Sequence, residues 1–362
     1  MISPLQLGLI VLGVVVVAAV LLYNRWVTSR LQPRRARPAP ADGTEDRAQE
    51  AAAVAQALHD RLEPVLGDDT GAGEPPLAVS GSRQSPATAL PLLDPQLDAI
   101  AQLTADTMVS GDAVLAALPG TRRIGSKPFF IEGQNLATQA WEFPRSGQRY
   151  TCLRAGIQLA NRMGPLNEIE FSEFVVKLQA FADALQLAAD FPDMMQEVAR
   201  ARELDQFAGA HDAQLSFTVR ATRAAWSPGY LTQHAARQGF VVGALPGRMV
   251  LPAAQPGAAA VLVLQFETQA ALSEDPDQAA LRDFSITLDV PHVARAERPF
   301  VRMREAALAL AASMEGSVTD DGGQPLGKDA MDRIGADLEV LYDALEARQL
   351  PAGAPLTRRL FS

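Results

Sequence analysis

The chain opens on an apolar run. Residues 1–23 carry no charged side chain, and 5–23 are apolar apart from Gln6. At roughly 1.5 Å per helical residue this run is about 28 Å long, close to the thickness of a bilayer's hydrocarbon core. Arg25, Arg30, Arg34, Arg35 and Arg37 follow with no acid among them, and Trp26 stands where an interfacial aromatic would. The pattern predicts a single transmembrane helix over 1–26, with an outside N-terminus and the remainder in the cytoplasm. A cleaved signal peptide is the competing reading. It requires a basic leading region, and residues 1–8 hold neither Lys nor Arg.

From 27 to 94 the periodicity is lost. Pro33, Pro38, Pro40, Pro64, Pro75, Pro76, Pro86 and Pro91 mix with Gly, Ala, Ser and acids. Such a segment buries too little apolar surface to fold alone and reads as a disordered linker. Within it, 45–63 has no Pro or Gly and predicts a helix with a thin apolar face of Val54, Leu58 and Leu62.

Folded sequence is expected from 95. Residues 97–104 read as a strand, and Ser110 caps a helix over 111–118 that Pro119-Gly120 ends. Strands are expected over 123–132 and 149–160, with a short one over 141–143. Phe171, Phe174, Leu178, Phe181 and Leu185, spaced 3 and 4 apart, form one helical stripe, and a further helix follows over 193–207. The pattern then restarts. Leu215, Phe217 and Val219 alternate with Ser216, Thr218 and Arg220. Ser227-Pro228 opens a helix that stops at Gly239. A strand pair around Pro246-Gly247, an apolar strand over 259–267 and an alternating strand over 284–290 follow. Helices are expected over 299–316 and 327–347, separated by a strand and turn around Asp321-Gly322-Gly323.

This order predicts an α+β fold, a mostly antiparallel sheet with helices on one face. Strand, helix, strands and long helix occur twice. The chain therefore reads either as two tandem related units, 95–209 and 210–350, or as one larger α+β domain. Residues 351–362 read as a tail, loose in preference to docked.

Composition narrows the function. The formal net charge of -10 argues against nucleic acid as a partner. The single cysteine, Cys152, forms no internal disulfide and reads as a buried structural thiol. No phosphate loop, paired-Cys motif, His-Glu-x-x-His or Gly-x-Ser-x-Gly elbow occurs. His59, His211, His234 and His292 stand apart, without metal-ligand spacing. Glu274, Asp275 and Asp277 read as a loop, and Asp320 and Asp321 as a turn. No catalytic residue, metal site or cofactor is expected, which favours a binding module over an enzyme.

Several strings resemble one family. They are Gln238-Gly239-Phe240, Leu281-Arg282-Asp283-Phe284 leading into Ile286-Thr287-Leu288-Asp289-Val290-Pro291, and Glu315-Gly316-Ser317-Val318-Thr319-Asp320-Asp321. With the anchor topology, they make the chain similar to ZipA-like cell-division proteins, bitopic bacterial inner-membrane anchors of the tubulin-like FtsZ ring. The resemblance implies a C-terminal domain over 210–350 whose helices cover one sheet face. The other face would take the FtsZ C-terminal tail in an apolar groove. Carried over strand by strand, it places Ser216, Thr218, Arg248, Val250, Val263, Gln265 and Thr287 on the open, partner-binding face. Leu215, Phe217, Val219, Leu262, Leu264, Phe266, Ile286 and Leu288 fall on the covered one. The chain departs from the family in that this face is mostly polar, which leaves open a weak site, a groove within 95–209, or the opposite register. It departs too in its short linker and in region 95–209, which has no counterpart. The competing function is a membrane-tethered enzyme or small-molecule sensor with a site in a cleft between the two units.

Overall fold

The computed structural model of the protein describes residues 93–272 and 279–362, which belong to one compact unit. The expected anchor over 1–26, the helix over 45–63, His59 and the acids Glu274, Asp275 and Asp277 lie outside the described residues.

Two antiparallel sheets form the frame. The first half runs β1 (Asp98–Ser110), α1 (Gly111–Ala117), β2 (Arg123–Ile124), β3 (Lys127–Asn135), β4 (Trp141–Glu142), β5 (Arg149–Gln158), β6 (Ala160–Asn161) and β7 (Gly164–Pro165). It continues through α2 (Glu168–Leu185), β8 (Ala188–Asp190) and α3 (Met194–His211). The second half runs β9 (Gln214–Ala221), α4 (Pro228–Arg237), β10 (Val241–Val242), β11 (Arg248–Leu251), β12 (Leu262–Gln265) and α5 (Thr268–Ala271). It closes with β13 (Asp283–Asp289), α6 (Pro299–Met314), β14 (Gly316–Thr319), α7 (Lys328–Ala347) and α8 (Pro355–Leu360). Strand order is β2-β3-β5-β1-β8 in one sheet and β10-β11-β12-β13-β9-β14 in the other.

The connectivity of the two sheets corresponds. In each, the first strand of the half lies between the last strand before the long helix and a short strand entered after it. In each, the helix after that first strand is capped by a serine, Ser110 accepting from the Ala113 N–H and Ser227 from the Tyr230 N–H.

Packing follows the stripes read from the sequence. Phe171, Phe174, Leu178 and Phe181 of α2 are buried, and Phe174 meets Phe129 of β3 edge-on at 6.1 Å. In the second half α6 packs on β9, β13 and β14, flanked by α4 and α7. Phe217 meets Phe300 edge-on at 6.1 Å, and the buried Trp226 donates its indole N–H to the Met314 carbonyl at 2.8 Å.

Three expectations are corrected, and one strand was not foreseen. The single strand over 123–132 is a hairpin, β2 and β3. The unforeseen edge strand β8 carries no apolar alternation and pairs opposite Gln102, Leu103 and Thr104. Cys152 is half-buried, because its position opposite Thr104 puts it on the face that the α2 stripe does not cover. The C-terminal residues are docked: Leu360 and Phe361 are fully buried, and His292 Nε2 lies 2.9 Å from the Phe361 carbonyl oxygen.

The docked tail joins the two halves. The Arg359 guanidinium donates to Asp98 of β1 at 2.5 Å, and the Gln158 amide donates to the Arg359 carbonyl at 2.8 Å. Arg162, in the β6–β7 turn, donates to Asp212 at 2.7 Å and to Asp289 at 2.8 Å. That turn is held from below by Lys127, whose buried ammonium donates to Ser126 Oγ and Asn161 Oδ1 at 2.9 Å. Burial pushes the Lys127 amine below its ordinary pKa, against the pull of Glu170 and Asp205.

Burial pushes the Asp98 carboxyl above its ordinary pKa, opposed chiefly by Arg359. Removing Arg359 leaves a buried carboxylate unpaired, so Arg359→Ala is expected to cost about 3–5 kcal/mol at neutral pH. Its folded-state pKa then rises further above the unfolded value, so acidification protonates the folded state first and restores stability. Urea melts should show the deficit against wild type largest near about pH 8 and smaller near about pH 5. A deficit that does not change with pH would contradict this.

Candidate functional site

The two-residue period of the second sheet decides which side chains are available. Phe217, Val219, Met249, Leu251, Leu262, Leu264, Phe284, Ile286 and Leu288 are all buried on the helix-covered side. The intervening residues face the other way. Ser216, Thr218, Val250, Val263 and Thr287 are partly exposed, and Arg248 and Gln265 are exposed. All seven residues expected on the open face therefore stand on it, and the opposite register is excluded. Leu215 is half-buried, at the start of β9.

The ladders align these residues in two rows. One runs Val241, Val250, Val263, Thr287, Ser216 across five strands. The next runs Arg248, Gln265, Ser285, Thr218, Thr319. Three valines on adjacent strands thus form an apolar strip that reaches the sheet edge, where Val241 is 50 % exposed. The hydroxyls beside the strip are turned into the sheet. Thr287 Oγ1 donates to the Val263 carbonyl at 3.3 Å, and Ser285 Oγ to the Gln265 carbonyl at 3.4 Å. Thr287 therefore extends the valine row with its methyl group.

Sequence reasoning missed Val241, Ser285 and the row itself. Alternation assigns a residue to a face, whereas neighbours across strands depend on register, which the hairpin loops fix. The exposed Val242, Leu245 and Leu272 lie beyond the same edge, around the β10–β11 turn and after α5.

Other hollows have a different character. Between the halves lies a space of about 380 Å³ bounded by Pro95, Leu159, Arg200, Glu203, Arg348 and Leu350. Its charges are already paired, Arg348 with Glu203 at 3.0 Å and Arg200 with Glu197 at 2.6 Å. A groove of about 490 Å³ separates α6 from α7, with Phe300, Met331 and Leu338 among its lining residues. The ion pairs Arg304–Asp332 at 2.6 Å and Arg295–Glu339 at 2.5 Å cross between its two walls.

The histidines hold structural positions. His211 stacks on Phe207 with ring centroids 4.2 Å apart, and His234 Nδ1 lies 3.1 Å from Ser313 Oγ. Asp320 accepts from the Gln324 N–H at 2.8 Å and so closes the β14 turn. Among the described residues, no group of three or more His, Cys, Asp and Glu side chains is placed to hold a metal ion.

Residues 273–337 match the family described as ZipA, C-terminal FtsZ-binding domain. The matched span contains β13, α6, β14 and the first part of α7. It therefore supplies Ser285 and Thr287 to the open face, while β9 to β12 fall outside it. No curated protein matches the chain.

The face assignment predicts unequal responses of neighbours in one strand. Val263→Lys should cost no more than about 1 kcal/mol, because its side chain leaves through the open face. Leu264→Ala should cost about 2–5 kcal/mol, because it opens a cavity under α6. Urea denaturation of the two variants checks this, and equal losses would contradict the register.

Proposed function

We propose that the chain is a bitopic inner-membrane adaptor. It tethers FtsZ filaments to the cytoplasmic membrane during septal-ring assembly and binds the FtsZ C-terminal tail on the open face of the second sheet. The observation that carries this reading is the strip Val241–Val250–Val263, on a sheet face that, among the described residues, no helix covers, in the half that holds the family match. The family is a protein-binding one, and binding of this kind needs apolar surface, not an acid, base or metal.

The strip is narrow. Burying an exposed Val side chain is worth roughly 1.5–3 kcal/mol, so three valines already partly buried support a modest affinity. Arg248 and the main chain at the free edge of β10 add polar recognition. Confinement to a membrane raises the effective concentration of both partners, so a modest affinity suffices there.

Anchorage rests on the apolar run over 1–23 and the arginines after it. Among the described residues no helix is long and apolar enough to cross a membrane. The reading therefore assigns the span to the N-terminal run, with a periplasmic N-terminus and the two sheets in the bacterial cytoplasm.

Double substitution Val250→Asp and Val263→Asp should weaken binding of an FtsZ C-terminal peptide by roughly tenfold or more, since a carboxylate buried at the interface costs above 1.4 kcal/mol. Thr218→Ala should leave it within about threefold. Deleting residues 1–23 should preserve peptide binding by calorimetry and abolish recruitment of FtsZ to vesicles. No binding by wild type ends this reading.

A further inference from the structure

The first sheet has the same connectivity as the second, but its corresponding face is occupied. The occupant is the chain's own Leu93, 4 % exposed, immediately ahead of β1. Three features of the face receive it. Gly156 of β5 provides the socket: a Cβ there would stand 2.7 Å from Leu93 Cδ2. The fully buried Glu132 accepts the Leu93 N–H at 2.7 Å through Oε1. Arg154 donates to the Leu93 carbonyl at 3.4 Å.

The two charged groups also hold each other. Arg154 donates to Glu132 Oε2 through both Nε and Nη2, at 2.9 and 2.8 Å. Its guanidinium also lies over the Trp141 ring, 4.3 Å from the centroid. The row holding the socket is apolar, with Phe130, Gly156 and Ile100 aligned across three strands. Together these groups read the N–H, the C=O and the branched apolar side chain of one residue. The buried acid and the oriented Arg thus meet both main-chain groups of one residue, beside a socket for its side chain.

We propose that the first sheet is a second peptide-binding face. Its resident ligand is the chain's own Leu93, exchangeable with a leucine-bearing peptide of the same sequence supplied in trans. This goes beyond the adaptor reading and does not require it. It also assigns a role to residues 95–209: the fold grips the linker where the linker enters.

The test uses the full chain and a fluorescent peptide of residues 89–94, Ala-Leu-Pro-Leu-Leu-Asp, read by anisotropy. Wild type should bind it at least tenfold more weakly than Leu93→Ala, whose socket is empty. Adding Gly156→Val to Leu93→Ala should abolish binding. A folded Leu93→Ala that ignores the peptide, or equal binding by all three proteins, would overturn the proposal. Hydrogen exchange on wild type gives a second check that no substitution can compromise. The Leu93 amide should exchange slowly and should speed up in Glu132→Gln, and exchange at the free-chain rate in wild type would also overturn it. Neither assay contains FtsZ, so failure here is distinct from failure of the adaptor reading.

Discussion

One-sided burial of the second sheet is the constraint on which the molecule turns. Strands β9, β11, β12 and β13 place a large apolar residue at every second position, and α6, flanked by α4 and α7, covers that side. A slip of one residue would send Phe217, Leu264 and Ile286 into water and bring Ser216, Gln265 and Thr287 under the helices. The same alternation that secures the core therefore leaves a defined face uncovered. What that face offers is then a matter of register alone, and register lines up Val241, Val250 and Val263.

The two halves apply one connectivity to different ends. The second sheet keeps its face free. The first has its face closed by the chain's own Leu93 over Gly156 at one place and by Arg359 of the C-terminal segment, against Asp98 and above the Phe130 ring, at another. The polar bridges at the junction are short and convergent, with Arg162 spanning Asp212 and Asp289. The C-terminal residues Leu360 and Phe361 supply the apolar filling.

Much of this was legible in the sequence. The 3-and-4 spacing through Phe171, Phe174, Leu178 and Phe181 marked α2, and the alternation through Gln214–Ala221 and Asp283–Asp289 separated the helix-covered face from the other. Ser110 and Ser227 marked two helix starts through their capping oxygens. Illegible were the features that depend on contacts distant in sequence. β8 has no pattern of its own and exists because β1 offers a free edge. The C-terminal segment looked like a tail because six helical residues have no stable helix signal, and its burial needs partners such as Asp98, more than 250 positions away. Leu93 looked like the end of a linker, since nothing local announces that Glu132 and Arg154 will hold its backbone. The likeness of the two halves, a weak echo in element order, extends to strand order, β5-β1-β8 in one sheet and β13-β9-β14 in the other.

The most direct test of the account is methyl NMR on residues 93–362 titrated with an FtsZ C-terminal peptide. The account predicts shifts concentrated on the methyls of Val241, Val250, Val263 and Thr287, with Leu262, Leu264 and Ile286 little changed. Shifts concentrated on Leu308, Leu338 and Val301 in the α6–α7 groove, or on Leu159 and Leu350 between the halves, would contradict it.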